Sequence, residues 1–204
     1  MIDVSAHPIL FLYDLLNSLE GSYTFNFSRY FYRPQSPIDE REIIRVGGDE
    51  INNDWLTHQV QSLKEGWEIA LNSEVIDHRN RTFHIPMIDF SGKDESIFFS
   101  GQFRDVLGRR HFENIYVYDS GRSYHSYALM LMGGKAWVEF MGGLLILNLP
   151  SKPAVIDSRW VGHRLISGYS ALRWSCHSEH YLDYPKFMSK RIMLGKSRGR
   201  DYFF

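Results

Sequence analysis

The sequence predicts a mixed α/β (α+β) fold in one continuous unit. Three observations predict it. Some stretches repeat their apolar residues at helical spacing, others follow strand-like patterns, and no internal repeat or low-complexity linker separates the two kinds. With 204 residues the chain is long enough for one substantial core, or for two small lobes sharing a cleft.

Residues 8–19 have the apolar spacing of a helix, and 23–32 alternate in part like a strand before Pro34 and Pro37 break the pattern. Residues 36–40 resemble a helix start, with acids in the first turn. Leu56, Val60, Leu63, Trp67 and Ile69/Ala70 recur near the helical period, which predicts a helix over 55–70. A β-type run follows at 82–90, then a helix over 96–107, a short strand at 114–118, a loop at 120–123 and another strand at 124–131. The most apolar stretch, 128–149, carries Lys135, Glu139 and two Gly-Gly pairs, so it reads as strands and turns, with 142–149 either a strand or a buried helix. Residues 154–157 are short and β-like, and 164–175 read as a hairpin turning at Ser167-Gly168.

Composition narrows the function classes. The 44% hydrophobic, 15% aromatic and 23% charged residues describe a globular protein. Cys176 stands alone, so an intramolecular disulfide and a four-thiolate zinc site are excluded, and a cytoplasmic location is expected. Asp3, His7, Pro8 and Asp14 interrupt the apolar residues at the N-terminus, unlike a secretory leader, and no stretch reads as membrane-spanning. The net charge of −1 hides an asymmetry. Residues 1–100 hold 16 acids and 8 bases, whereas residues 101–204 hold 8 acids and 15 bases, which makes the second half the better place to hold an anion. Lys186, Lys190, Arg191, Lys196, Arg198 and Arg200 form a basic stretch suited to a phosphate backbone, or to a solvated tail.

The chemistry lies in three segments about thirty residues apart. His84-Ile-Pro-Met-Ile-Asp89 ends an apolar run on a carboxylate, Ser120-Gly-Arg-Ser-Tyr-His125 offers phosphate donors, and Val155-Ile-Asp157 ends another run on a carboxylate. Strand-end acids can hold a divalent ion at a sheet edge, and a Ser/Arg/Ser/His loop can bond a phosphate. The order points to nucleotidyl transfer.

In Ile88-Asp89-Phe90-Ser91, Ser120 to His125 and Val155-Ile156-Asp157 the chain resembles the catalytic core of the archaeo-eukaryotic primase and primase-polymerase (PrimPol) superfamily. That superfamily carries an Asp-x-Asp strand, a Ser-x-His motif and a hydrophobic-Asp strand in this order. Asp157 to Arg164 followed by Ala171 to Ser175 is similar to the superfamily's post-motif hairpin, which ends in a basic residue near the nucleotide. The resemblance covers residues 82–175 and implies a two-lobed core with a recognition-motif-like mixed or antiparallel sheet and flanking helices. It places a catalytic core at 1–185 and a basic tail at 186–204.

The same resemblance implies a site. Asp89 and Asp157 would be catalytic and hold Mg²⁺ or Mn²⁺. Ser120, Arg122, Ser123, His125 and Arg173 would bind the nucleotide, and Arg164, Lys190, Arg191, Lys196 and Arg198 the nucleic acid. Nucleoside triphosphates and a single-stranded or primed DNA or RNA template are the implied ligands, and a helicase or other replication or defence protein an implied partner. One position departs from the pattern: Ser91 stands where the second acid of the first motif belongs, and a neutral hydroxyl is a poorer Mg²⁺ ligand. Asp94 or Glu95 is the available substitute.

Ser91 keeps a second reading open, a catalytically impaired relative that binds nucleotide, DNA or RNA as a recognition subunit. A third, a metal-dependent phosphoester hydrolase, would use the same carboxylates. Each residue also has a structural reading. Asp89 or Asp157 would serve as a turn former or helix cap, His125 as a core histidine, and Trp160, Tyr169 and Trp174 as core rings before base-stacking ones. Cys176, His177 and His180 have ligand types, but the spacing does not suit a closed zinc site. Gly195-Lys196-Ser197 lacks the first glycine and preceding strand of a phosphate-binding loop.

Overall fold

The computed structural model describes residues 2–192 except 34, 35 and 37, and shows six α-helices with two antiparallel sheets. The first sheet is built from β1 (Tyr23–Phe31), β2 (Glu42–Gly47), β3 (Trp67–Asp77), β4 (Thr82–His84) and β8 (Ala171–Arg173). Its order is β2-β1-β3, and the eleven-residue β3 pairs with β8 along one half and with β4 along the other. The second sheet runs β5 (Met87–Asp89), β7 (Tyr124–Ala128), β6 (Asn114–Asp119) and β9 (Lys186–Ile192).

The second sheet separates two apolar clusters. Met87, Tyr116, Tyr118 and Tyr127 face the first sheet and α1 (Ile9–Ser18), where Phe11, Phe25, Leu71 and Trp174 are all buried. The alternate residues Ile88, Phe90, Ile115, Val117 and Tyr124 face α3 (Gly101–Leu107), α4 (Arg109–Phe112), α5 (Gly134–Ile146) and α6 (Ser158–Ser167). Alternation with period two therefore sends these apolar strand residues to one cluster or the other. Trp160 of α6 touches both clusters.

Several local expectations change. The helical pattern over 55–70 splits into α2 (Asn53–Gln61) and the start of β3, because Gly66 at φ +75° turns the chain. Residues 128–149 supply α5 in place of strands and turns. Trp137, Phe140, Met141 and Leu144 are buried at helical spacing, and that stripe outweighs the cost of glycine in a helix. The hairpin at 164–175 is instead the end of α6, stopped by Gly168 in the left-handed conformation at φ +80°, followed by β8. No helix starts among the described residues of 36–40; Asp39 there is engaged in ion pairs. Residues 154–157 contribute a single bridge, Ile156 to Phe90. Residues 186–192, expected to begin a basic tail, pair with β6 as the edge strand β9.

Candidate nucleotide and metal site

Strand pairing brings the three motifs into one row. Asp89 at the end of β5 lies opposite His125 on β7. On its other side the Phe90–Ile156 bridge is framed by two backbone bonds, Asp157 N–H to Asp89 O at 3.1 Å and Ser91 N–H to Val155 O at 2.9 Å. Asp157 therefore sits opposite Asp89, and directly opposed residues place their side chains on the same face. Phe90 is buried on the far face, so Asp89 and Ser91 turn to the near one, where both line a 350 Å³ cleft between the sheets with His125 and Asp157.

The electrostatics follow from the row. Only 22% of the Asp89 side chain is exposed, and its Oδ1 lies 3.7 Å from His125 Nε2. Burial first and the Asp157 carboxylate second push Asp89 up to about 8, against the opposing pull of Arg173 and of a hydrogen bond from the Ser123 hydroxyl. Burial and the nearby Arg173 hold His125 down to about 3, so it is a neutral imidazole. Its Nδ1 has no hydrogen-bond partner among the described residues.

The turn between β6 and β7 is closed on itself. Ser120 N–H donates to Ser123 O at 2.9 Å, the two hydroxyls meet at 3.1 Å, and Asp119 Oδ1 accepts from Gly121 N–H at 2.8 Å. Gly121 adopts φ +103°, a conformation that favours glycine, and a Cβ there would lie 3.4 Å from Leu182. The turn presents Ser123 and the exposed Arg122 to the cleft. Arg173 of β8 ties the turn to the first sheet: Nη2 donates to Ser120 O at 2.7 Å, Nη1 to Asp183 O at 3.0 Å, and the guanidinium lies 3.9 Å from the Tyr181 ring centre. It forms no ion pair with a carboxylate among the described residues, and its Nε has no hydrogen-bond partner among them.

A family model for archaeo-eukaryotic primase 1D-like (AEP-like) proteins matches residues 47–186, well over half of the chain. The chain belongs to that AEP-like family. The AEP-like domain holds the whole row and the turn within the matched residues, and the family is one of primase-related nucleotidyltransferases. No curated protein and no solved structure matches the chain.

The AEP-like cleft gathers Asp89, Asp157, Ser120, Arg122, Ser123, His125 and Arg173, as well as Arg164. Asp157 also performs the structural role foreseen for a strand-end acid: its Oδ1 caps α6, accepting from Arg159 and Trp160 N–H at 2.9 and 3.0 Å. Asp94 and Glu95 lie outside the cleft lining. Asp94 caps a 3-10 turn through Ser96 N–H, and Glu95 accepts from the Tyr124 hydroxyl, so neither carboxylate lines the cleft beside Ser91. Arg164 is 2% exposed and ion-paired to Asp39, and forms a buried part of the cleft wall. Lys190 pairs with Asp14 at 2.7 Å, away from the cleft. Arg191 lies on β9, and Lys196 and Arg198 lie outside the described residues.

Trp174 is a core ring, Trp160 lines the cleft while donating to Ala171 O at 2.9 Å, and Tyr169 flanks Arg164. The sequence reading missed Asp39, Arg41, Tyr32 and His163, which also line the cleft. They reach it from distant segments, and no local spacing marks them. Cys176 donates to Tyr181 O, and His180 stacks on Tyr32 at 4.1 Å; no metal-holding group of three His, Cys, Asp or Glu occurs among the described residues. No described helix is long and apolar enough to cross a membrane.

Proposed function

We propose that this AEP-like protein transfers nucleotides to the 3′ end of a primer, or starts one, on a single-stranded or primed nucleic-acid template. The observation that carries the reading is the row Asp157–Asp89–His125 beside the Ser120–Ser123 turn, facing one cleft. Neutral His125 and Ser123 would hydrogen-bond the triphosphate, Arg122 would neutralise it from the rim, and Arg173 would fix the turn while adding positive charge beneath it.

Two opposed carboxylates, one driven up to about 8 by burial and by the other's charge, suit a shared divalent cation. Mg²⁺ is commonly held by one or two carboxylates together with substrate phosphates, so Asp89 and Asp157 fit it or Mn²⁺ without a third acid. Bound there, the cation would lower the pKa of the attacking hydroxyl and neutralise the departing pyrophosphate.

Ser91, with Asp94 and Glu95 engaged elsewhere, favours a second reading in which nucleotide or template is bound without transfer. The deciding assay is incorporation of labelled nucleotides on primed and unprimed single-stranded templates with Mg²⁺ or Mn²⁺. Wild-type activity that disappears in Asp89→Ala supports transfer. No wild-type incorporation, with nucleotide binding that His125→Ala weakens, supports binding alone. Nucleotide binding unchanged in His125→Ala would sink the phosphate role of the turn.

A further inference from the structure

The α6 side of the cleft carries a charged cluster that the Asp89 row does not use. Arg41, just before β2, points Nε at both oxygens of Asp39, at 3.1 and 3.0 Å, and gives Nη1 to Ser28 Oγ at 2.9 Å. Arg164, two turns along α6 from its cap Asp157 and so about 10 Å away, pairs with the same Asp39 carboxylate. The two arginine side chains are only 9% and 2% exposed, yet both line the cleft together with Asp39.

Among the described residues, one carboxylate between two buried guanidinium groups leaves a positive charge uncompensated. Burying such a charge is costly unless its donors are satisfied. Arg164 Nε and Nη1 nevertheless have no hydrogen-bond partner among the described residues. Two aromatic rings flank the pair: the Tyr30 ring lies 4.1 Å from the Arg41 guanidinium carbon, and the Tyr169 ring 5.9 Å from that of Arg164. Rings favour a cation but accept no strong hydrogen bond. What the cluster lacks is an acceptor-rich anion, and planar guanidinium forks match phosphate oxygens well.

We propose that Asp39, Arg41 and Arg164 form a second phosphate subsite, taking a phosphate distinct from the triphosphate assigned to the Ser120–His125 turn. Asp39 acts as an internal placeholder that holds the two arginines together and competes with the incoming phosphate. That the anion is a phosphate rests on the nucleotidyltransferase reading; that the subsite prefers anions rests on the cluster alone. The phosphate belongs either to a nucleic-acid strand or to a second nucleotide.

The test is calorimetric titration of the full chain with two probes, inorganic tripolyphosphate and a short oligothymidylate lacking a terminal phosphate. His125→Ala serves as the parent, so that the turn contributes little. Asp39→Asn on that parent is expected to bind at least one probe about tenfold tighter, because the competing charge is gone, and Arg41→Lys about tenfold weaker, because the fork is lost. Tightening for the oligonucleotide identifies a strand phosphodiester; tightening for tripolyphosphate alone identifies a second nucleotide. Affinities for both probes that do not change, or that fall in Asp39→Asn, overturn the subsite. Should Asp39→Asn not fold, Arg41→Lys decides, and parental affinity overturns it. If tripolyphosphate binds wild type and His125→Ala equally, the turn loses its role while this comparison remains decisive.

Discussion

Asp157 carries two jobs that a pair of substitutions can separate. Its Oδ1 caps α6 through two backbone N–H groups, while the same carboxylate stands opposite Asp89 and raises its pKa. Asparagine caps helices about as well as aspartate, whereas alanine forfeits about 1 kcal/mol. Both substitutions remove the charge and relieve Asp89 equally, so the difference between the two variants isolates the cap. For a chain of this size about 1 kcal/mol corresponds to about 2–4 °C in melting temperature, and Asp157→Ala should melt lower than Asp157→Asn by that amount. In the incorporation assay the two variants should be equally inactive, because both lack the anionic ligand. If wild type does not incorporate, the rise in its melting temperature with Mn²⁺ serves instead, and both variants should lose it. Wild-type activity or Mn²⁺ response in Asp157→Asn would refute the ligand role and leave only the cap, and equal melting temperatures would refute the cap.

Between pH 6.5 and 8 folded Asp89, raised to about 8, still holds a proton that the unfolded chain has released, so its own contribution to stability falls as pH rises, by up to about 1.4 kcal/mol per unit. Five histidines act in the opposite sense, 7, 84 and 125 lowered to about 4, 4 and 3 and 111 and 180 also lowered by burial, and because unfolded histidine is still half-protonated at about 6.5 they offset Asp89 up to about pH 7.5; denaturant melts should therefore show a falling slope between about pH 7.5 and 8.5 that Asp89→Asn abolishes. Ser91→Asp restores an acid on the face shared by Asp89 and Asp157 and should lower the Mn²⁺ concentration needed for half-maximal thermal stabilisation about tenfold; an unchanged midpoint would show that Ser91 does not face the cation.

The strand-end acids and the Ser/Gly/Arg/Ser turn were legible because each is a local pattern: an apolar run closing on Asp, or a glycine that permits a positive φ. Their order along the chain was enough to anticipate that they would meet. The α6 side was not legible. Asp39 looks like part of the acidic start of a helix, Arg41 carries no local signal, and Arg164 looks like a hairpin residue or a nucleic-acid contact, until the fold brings together side chains more than 120 positions apart. Residues 128–149 misled for a physical reason: glycine pairs suggest turns by local propensity, but burial of Trp137, Phe140, Met141 and Leu144 on one helical stripe decides the outcome. Trp67 to Ala70 misled in the opposite direction, since their apolar spacing suited a helix while β1 and β8 supplied strand partners that only the tertiary structure provides.

The missing acid at Ser91 and the raised pKa of Asp89 have a common consequence for how the proposed site would fill. With three opposed carboxylates a divalent cation would be held tightly before any nucleotide arrived. With two, one of them protonated through much of the neutral range, each cation bound must first displace a proton from Asp89, and the remaining coordination must come from phosphate oxygens or water. On the proposed reading, the cation therefore binds weakly alone and firmly only with the triphosphate that His125, Ser123 and Arg122 hold beside it. Positive charge from Arg173 beneath the turn would favour that anionic ligand before the cation is in place. Nucleotide and metal would then bind with positive coupling, each raising the affinity for the other by the same factor. In this arrangement the loss of one acid changes the order in which the site assembles without removing the means to assemble it.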